Sequence, residues 1–253
     1  MLEIRHLSKK YKDKQALSDI SLCIESGQII GLFGENGAGK TTLLKSILGF
    51  LKYEGEIRLD GEAITHKNIA RLSFATSEHS FFPMLSAEGH KAFYAEHFQG
   101  FREKRFDALM DFFELPKKRP VGRLSTGQKN QFEVLLALSQ GAEYILMDEP
   151  FAGNDIFNRE DFYKVLAGLL EPSETVVLST HLIEEVGNFV DRALLLHKGE
   201  LIGDLSLEEI QSSGRSLVDL IKESYSYRAD RVSRAISAME EIVLEEEDSH
   251  ENS

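Results

Sequence analysis

The sequence has almost no cysteine and no long apolar run, and each shortage excludes a class of protein. Cys23 is the single cysteine among 253 residues, so no disulfide can form within the chain. It lies in a segment, Ser21-Leu22-Cys23-Ile24, that is typical of a buried strand, where a thiol acts as a small apolar side chain. No stretch reaches the ~18 consecutive apolar residues of a membrane-spanning helix. The N-terminus also lacks the apolar core of a signal peptide. We therefore expect a cytoplasmic protein that reaches a membrane only through a partner.

Positive charge is also in short supply. Lysine and arginine number 29 against 42 aspartates and glutamates, which gives a formal net charge of −13. Proteins that bind nucleic acid usually present a basic surface, because neutralised phosphates supply much of their affinity. Several of the acidic residues cluster between 240 and 251, and we interpret this cluster as a solvated tail because like charges resist packing. No nucleic-acid partner is expected.

Short apolar segments alternate with longer segments of helical periodicity. Several of the apolar segments are nearly continuous, as in strands that are buried on both faces of a parallel sheet. The predicted strands are 2–7, 20–24, 29–33, 56–59, 144–147, 175–178 and 193–196, and the predicted helices are 41–50, 101–113, 128–138 and 157–170. This alternation predicts an α/β fold with a mostly parallel sheet. The short strands and turns near the N-terminus predict an antiparallel β element beside it.

Two further regions are predicted to be helical. Residues from about 80 to 135 form an inserted helical lobe, because their apolar residues recur at helical spacing. We expect residues 1–205 to form one domain that includes this lobe. Residues 206–253 are then a helical extension that carries the acidic tail.

Residues 34–41 fit the phosphate-binding loop pattern G-x-x-x-x-G-K-[ST] at every position. A predicted strand precedes the loop and a predicted helix follows it, which is the context that the pattern requires. Glycines let successive backbone N–H groups point at phosphate oxygens, while Lys40 reaches the β- and γ-phosphates and the Thr41 hydroxyl ligates Mg²⁺. The predicted ATP-binding residues of this segment are Gly34, Asn36, Gly37, Ala38, Gly39, Lys40, Thr41 and Thr42. The sequence thus predicts a P-loop NTPase core, although this motif is shared by many P-loop folds.

An apolar segment, 144–147, ends in two carboxylates, Asp148 and Glu149. Its C-terminal end delivers them to the crevice where α/β proteins bind their ligands. Asp148 is suited to hold Mg²⁺, and Glu149 is suited to act as the general base that polarises the attacking water. Upstream, Leu124-Ser125-Thr126-Gly127-Gln128 opens a helical segment. Taken alone, that sequence is an ordinary serine cap followed by a glycine.

In this order the motifs resemble the ATP-binding cassette (ABC) ATPase family over roughly residues 1–205. The family signature reads LSGGQ, and residues 124–128 match it with one departure, at Thr126. The resemblance implies that Ser125, Thr126, Gly127 and Gln128 contact ATP held by a second cassette. It also implies that His181 contacts the γ-phosphate and positions water together with Glu149. By the same resemblance Tyr11 stacks on adenine, and Asp155 belongs to the D-loop, in which Asn154 replaces the usual leucine.

One family feature is missing. The family carries a glutamine after the first strands that touches Mg²⁺ and signals to the membrane partner, and residues 72–79 contain none. Ser77 or Glu78 must take its place, and the sequence does not choose between them. The resemblance also places the membrane partner on the helical lobe, which makes Phe81, Phe82, Pro83 and Met84 candidate contacts.

The resemblance implies a specific function. We expect an ATP-hydrolysing subunit that pairs with a second ATPase subunit, identical or different, and drives a separate integral membrane permease, with ATP and Mg²⁺ as cofactors. The short region after Leu205 is more typical of exporter ATPases than of importers that carry a regulatory domain. Two alternatives stay open. One is a clamp subunit with weak hydrolysis in a heteromeric ABC complex, and the other is a soluble ABC ATPase without a transport role.

Overall fold

The computed structural model describes residues 1–150, 156–181, 183–187 and 189–224. The strands are β1 (Leu2–Tyr11), β2 (Lys14–Ile24), β3 (Ile29–Phe33), β4 (Glu54–Leu59), β5 (Glu62–Ala63), β6 (Leu72–Thr76), β7 (Tyr144–Asp148), β8 (Thr175–Thr180), β9 (Arg192–His197) and β10 (Glu200–Ser206). The helices are α1 (Lys40–Ile47), α2 (Ala87–His97), α3 (Glu103–Phe112), α4 (Thr126–Ser139), α5 (Ile156–Leu169), α6 (Ile183–Val186), α7 (Leu207–Ser212) and α8 (Leu217–Ser224). None of the helices in this part of the chain combines the length and apolar character that crossing a membrane requires.

The central sheet has the strand order β10-β9-β3-β8-β7-β6 within the described residues. Strands β9, β3, β8, β7 and β6 run parallel, and β10 is antiparallel to β9. The residues of β7 and β8 are buried throughout, which explains why their sequences are almost continuously apolar. Because β3, β7 and β8 are parallel neighbours, the segments that follow them meet at one edge of the sheet.

A second, antiparallel sheet of order β2-β1-β4-β5 lies beside the first. The predicted fold class is therefore confirmed.

The prediction that Cys23 is buried is wrong: Leu22 and Ile24 of β2 are buried, whereas Cys23 between them is exposed. Successive side chains of a strand point to opposite faces, and only one face of this strand is covered.

The central sheet separates two apolar clusters. Alternate residues of β7 belong to different clusters: Ile145 and Met147 pack with α3, α4 and α5, whereas Tyr144 and Leu146 pack with α1 and the antiparallel sheet. The sheet is thus covered on both faces, and its loops at the carboxyl edge are held from both sides.

Between β6 and β7 the chain forms α2, α3 and α4, the region predicted to be a helical lobe. After β10 it forms α7 and α8, which belong to the predicted C-terminal extension. The division into domains at residue 205 stays a prediction, and the predicted acidic tail lies outside the described residues.

Candidate nucleotide-binding site

The P-loop connects β3 to α1 and depends on glycine at two positions. Gly39 has a φ of 113°, and a Cβ there would lie 2.7 Å from the carbonyl oxygen of Ala16. A Cβ on Gly34 would lie 2.5 Å from the carbonyl oxygen of Leu196. Side chains at either position would collide with backbone, so the loop can curl only with glycines here. Ala38 is buried beneath the loop, where its carbonyl accepts a hydrogen bond from the Gly199 amide at 2.8 Å.

Helix α1 begins directly at the end of this loop. No side chain caps its N-terminus at Gly39. The first backbone N–H groups of a helix lack partners within the helix, and with the helix dipole they favour a negative charge. The Lys40 ammonium lies at the same end, where it donates to the Gly34 carbonyl at 2.8 Å while only 6% of the residue is exposed. The loop therefore presents a concentrated positive potential to a phosphate.

A cavity of about 260 Å³ lies in front of the loop. It is lined by Tyr11, Lys14, Ala16, Glu35, Asn36, Gly37, Gly39, Lys40, Thr41, Thr42 and Glu149. Tyr11, predicted to stack on adenine, is 45% exposed at the rim, and the Lys9 ammonium lies 4.8 Å from the centre of its ring. An accessible ring beside a phosphate-binding loop can take a planar base on its free surface. The structure thus brings Tyr11 and most of the predicted P-loop residues together around one cavity, whereas Gly34 and Ala38 do not line it.

The two predicted carboxylates end β7 at the same edge of the sheet. Asp148 is 6% exposed, and its Oδ1 accepts a hydrogen bond from Ser179 Oγ at 2.6 Å. The Glu149 amide donates to the Ser179 carbonyl at 3.0 Å, and Glu149 has a φ of 47°. A glutamate in this left-handed region carries a small conformational strain, which residues at functional sites often show. Ser179 of β8 therefore holds both acidic residues.

The Glu149 side chain bridges Lys40 and His181. Glu149 Oε2 lies 3.0 Å from His181 Nδ1, and Glu149 Oε1 lies 3.7 Å from Lys40 Nζ. Oε1 is buried and makes no hydrogen bond in the protein. A buried carboxylate oxygen without a donor is costly unless a ligand or water supplies one. This oxygen faces the P-loop lysine, so it is placed to accept a proton from a water molecule at the phosphate.

The residues predicted to replace the missing glutamine lie in the loop after β6. Ser77 and Glu78 are both exposed. Both carboxylate oxygens of Glu78 lie 2.8 Å from Lys45 Nζ, on the second half of α1. Glu78 is therefore engaged by a lysine in this structure. The choice between Ser77 and Glu78 stays open.

The signature residues begin α4 in a capping box. The Ser125 hydroxyl accepts from the Gln128 amide at 3.2 Å, and the Gln128 side chain accepts from the Ser125 amide at 3.1 Å. Ser125 and Thr126 are exposed, and Gly127 is partly exposed. The capping box fixes this helix start on the surface, and residues 125–128 do not line the P-loop cavity of the same chain. Asp155 of the predicted D-loop lies outside the described residues.

The donor set of the site fits Mg²⁺. This ion prefers oxygen ligands and is usually bound through one or two carboxylates, substrate phosphates and water rather than by an all-protein cage. The Thr41 hydroxyl lines the cavity, and Asp148 leaves one oxygen outside its bond to Ser179. The described residues contain no group of three or more His, Cys, Asp and Glu side chains placed to hold a metal. This arrangement matches an ion that arrives with a nucleotide.

Sequence reasoning missed two residues that shape the site. Ser179 holds Asp148 and Glu149. Its position could have indicated this role, because it is a polar residue at the end of an otherwise apolar strand that leads to His181. Lys45 pairs with Glu78, and nothing in the sequence around Lys45 predicted that contact. Both interactions join segments that are distant in the sequence.

Comparison with known proteins identifies similar chains. The family model described as "ABC transporter" matches residues 17–152. The chain is 35% identical over 211 residues to the manganese transport system ATP-binding protein MntB of Listeria innocua, which covers 78% of this chain and 87% of the relative. It is 30% identical over 224 residues to the lipopolysaccharide export system ATP-binding protein LptB of Haemophilus influenzae, covering 84% of this chain and 93% of the relative.

Solved structures share the fold. The ATP-binding cassette MJ0796, solved as a dimer in a post-hydrolysis state with ADP and Pi, has a TM-score of 0.70 at 25% identity and covers 82% of this chain and 99% of its own. An ATP-binding subunit of an ABC transporter has a TM-score of 0.78 at 23% identity and covers 89% of this chain and 99% of its own.

Proposed function

This chain belongs to the ABC transporter family as an ATP-binding subunit with ATPase activity, and from that premise we propose that it hydrolyses ATP at the cavity between the P-loop and Glu149 to drive a separate membrane subunit. The observation that carries the proposal is the contact chain Lys40–Glu149–His181 at the end of the P-loop. It places a cation, a base and a ring nitrogen around one position. That position is where the last phosphate of a nucleotide on this P-loop would lie.

In the proposed reaction Glu149 acts as the general base. A water molecule donates to Glu149 Oε1, its oxygen attacks the γ-phosphorus, the bond to the β-phosphate oxygen breaks, and the water proton passes to the carboxylate. His181 Nδ1 holds Oε2, which orients the carboxylate and leaves Nε2 as the ring nitrogen able to contact the γ-phosphate. The Lys40 ammonium and the backbone N–H groups at the start of α1 stabilise the negative charge that develops.

In this proposal Thr41 and Asp148 would hold the magnesium ion that accompanies the nucleotide. Bound there, the ion would neutralise negative charge on the phosphates. Asp148 is kept in place by Ser179. Ser77 or Glu78 would add an outer contact from the loop after β6.

The signature would complete the site of a second subunit. Ser125, Thr126, Gly127 and Gln128 begin a helix on an exposed surface, where the Ser125 side chain and the helix start can meet an anion of another chain. We propose that two cassettes pair head to tail, each covering the nucleotide of the other. Asp155 would lie at the same interface by the family resemblance. The partner is a second copy or a related ATPase subunit.

A groove beside the loop after β6 is proposed as the docking site of the membrane subunit. It encloses about 640 Å³ between α1, β6, α2 and α4, and its lining is mostly apolar, with Phe50, Phe74, Tyr94 and Phe98 among the residues. Phe50 is 66% exposed, and Met84 of the neighbouring loop is 81% exposed. Exposed apolar side chains around a groove favour a helix with an apolar face. The chain would then lie on the cytoplasmic face of the membrane, bound through this partner.

Export is the direction of transport that we propose. The lipopolysaccharide export relative supports it, and the name of the manganese transport relative gives no direction.

A clamp subunit with weak hydrolysis is the second candidate function, favoured by Thr126 in the signature and by the absence of the family glutamine in residues 72–79. The two candidates predict different rates of ATP hydrolysis.

The test is the turnover of ATP by Glu149→Gln. The amide keeps the shape of the side chain but cannot take the proton, so turnover should fall by about 10²–10⁴-fold while ATP binding is retained. Turnover is measured as phosphate release across protein concentration, and binding is measured by calorimetry. Glu62→Gln, the same change on exposed β5, is the matched control and should hydrolyse ATP like the wild type. Equal turnover in Glu149→Gln and the wild type would refute the assignment. If the wild-type protein binds ATP tightly but hydrolyses little or none of it, the clamp function is favoured.

A further inference from the structure

Helix α4 buries a carboxylate that the proposed reaction does not use. Glu133 is 2% exposed and lies two turns after the signature on the same helix. Its Oε1 accepts hydrogen bonds from the Ser80 amide, at 2.9 Å, and from the Ser80 hydroxyl. Its Oε2 is buried without a hydrogen-bond partner. Burial raises the pKa of the Glu133 carboxyl to about 7, although the hydrogen bonds from Ser80 and Phe81 lower it.

The groups that Glu133 holds belong to a loop, 79–82, that follows β6. His79 Nε2 of this loop lies 2.8 Å from Asn130 Oδ1, one turn before Glu133 on α4. The Phe82 amide donates to Nε2 of the fully buried His90 on α2 at 3.0 Å. His79 has a φ of 59°, which carries a small conformational strain that the contacts to α4 and α2 help to offset. The helix side chains therefore impose the conformation of the loop.

An apolar residue would fill the position of Glu133 at lower energetic cost. Burying an acid with one oxygen unpaired is unfavourable, and replacing such groups by apolar ones often stabilises a protein. Glu133 also holds the loop 79–82 against α4 through Ser80, which an apolar side chain could not do. The loop adjoins Ser77 and Glu78, and Ser125 caps the start of the helix. The contact therefore joins a segment of this chain's own proposed ATP site to the segment proposed to complete the site of a second subunit.

We propose that Glu133 is a positioning residue that fastens the loop 79–82 to the signature helix, so that the loop bearing Ser77 and Glu78 and the start of α4 respond together to bound nucleotide. The proposal rests on the proposed function of these two segments. Glu133 does not line the P-loop cavity. It acts through the backbone of Ser80.

Hydrogen–deuterium exchange tests the tie directly in the full chain, with and without Mg²⁺ and a non-hydrolysable ATP analogue. In Glu133→Ala, peptides covering residues 79–82 should exchange about tenfold faster than in the wild type, because their amides lose an acceptor. In Glu133→Gln they should exchange as in the wild type, since the amide oxygen can still accept from Ser80. Glu96→Gln, on the exposed face of α2, is the control.

The change in exchange on adding the ATP analogue tests whether the loop and the start of α4 respond together. In the wild type and in Glu133→Gln the analogue should slow exchange in both 79–82 and 125–128, whereas in Glu133→Ala only 125–128 should respond. Where turnover is measured, kcat of Glu133→Ala should fall about tenfold with KM for ATP unchanged.

Three results would overturn the proposal. They are unchanged exchange of 79–82 in Glu133→Ala, a loop that responds to the analogue with or without Glu133, and a wild-type loop that does not respond at all. The proposed hydrolytic function fails separately, in the turnover of Glu149→Gln.

Discussion

At the scale of single residues, the buried carboxyl of Glu133 should make the stability of the protein depend on pH. Its pKa is raised by burial to about 7, well above the ordinary value of 4.5. The folded protein therefore holds a proton on this carboxyl that the unfolded chain loses. The stabilisation is fully present below about pH 4.5 and is lost as the pH rises through about 7.

Replacing Glu133 by glutamine should remove this pH dependence. The free energy of unfolding of the wild type, taken relative to Glu133→Gln, should fall by roughly 3 kcal/mol between pH 4.5 and pH 8. Other titratable groups around the site are His79 on the loop and His90 and Tyr94 on α2. Burial lowers the pKa of His90 and, with the charge of Glu133, raises that of Tyr94. Both proteins contain these groups, so the difference between their two urea unfolding curves isolates the contribution of Glu133. A difference that does not change with pH would show that Glu133 does not titrate in this range.

The sequence predicted individual residues well where a motif carries the chemistry. The pattern of residues 34–41 predicted a loop that carries Lys40 at the end of a strand, and its ammonium there donates to the Gly34 carbonyl. The carboxylates after 144–147 proved to share one partner, Ser179. The roles of these residues toward ATP stay predictions. It failed for Cys23, because an apolar segment does not tell which face of an outer strand is covered. It could not reveal Glu133, since the contact with Ser80 joins residues 53 positions apart.

At the scale of elements, one arginine joins the helical lobe to the central sheet. Arg105 of α3 makes two hydrogen bonds to the Glu174 carboxylate, at 2.8 and 2.9 Å, just before β8. It also donates to the carbonyls of Leu138 on α4 and Leu169 on α5. The Glu174 side chain is 1% exposed. Four segments therefore depend on one buried ion pair.

Removing one partner of this pair should destabilise the protein strongly. Glu174→Ala leaves the buried Arg105 guanidinium with only the more exposed Glu171 carboxylate, 4.0 Å away, which should lower the free energy of unfolding by about 3–5 kcal/mol. Asp107→Ala removes one partner of Lys91, in a more exposed pair that joins α3 to α2, and should cost less than about 1 kcal/mol. Urea unfolding followed by circular dichroism measures both. Similar losses in the two variants would show that the buried pair does not hold the lobe to the sheet.

Elements were predictable where both faces are buried and less so at the edges. Strand β3 was predicted with its observed bounds, whereas β6 and β10 were missed. These two strands lie at the two ends of the described sheet. β6 is mostly buried but contains Ser73 and Thr76, and the partly exposed β10 contains Gly203 and Asp204, so neither is a continuous apolar segment. Helix α1 was predicted to reach Phe50 but ends at Ile47. Gly49 adopts a φ of 72°, and the Phe50 amide bonds back to the Lys45 carbonyl, a glycine-dependent helix end.

At the scale of the whole molecule, the proposed ATP site has two halves. The P-loop cavity lies at the carboxyl edge of the central sheet, and the signature residues begin α4 in the lobe and do not line that cavity. On our proposal, a second chain would bring the two halves together. Two-fold pairing would form two equal sites from two chains, because each surface patch meets its counterpart on the partner.

Mixing two inactive variants should therefore restore activity. Lys40→Ala removes the cation of the P-loop, and Ser125→Arg blocks the signature, so each variant alone should hydrolyse ATP at least about 10²-fold more slowly than the wild type. A mixed pair has one site with both defects and one with none. With random pairing in an equal mixture, turnover per chain should recover to roughly a quarter of the wild-type value. Phosphate release is measured before and after mixing, with Lys40→Ala mixed with Glu149→Gln as the control, since those two defects share the same half of the site and cannot complement. Recovery in the control as well, or no recovery in the test mixture when both variants bind the wild type, would show that the ATP site is not shared between chains.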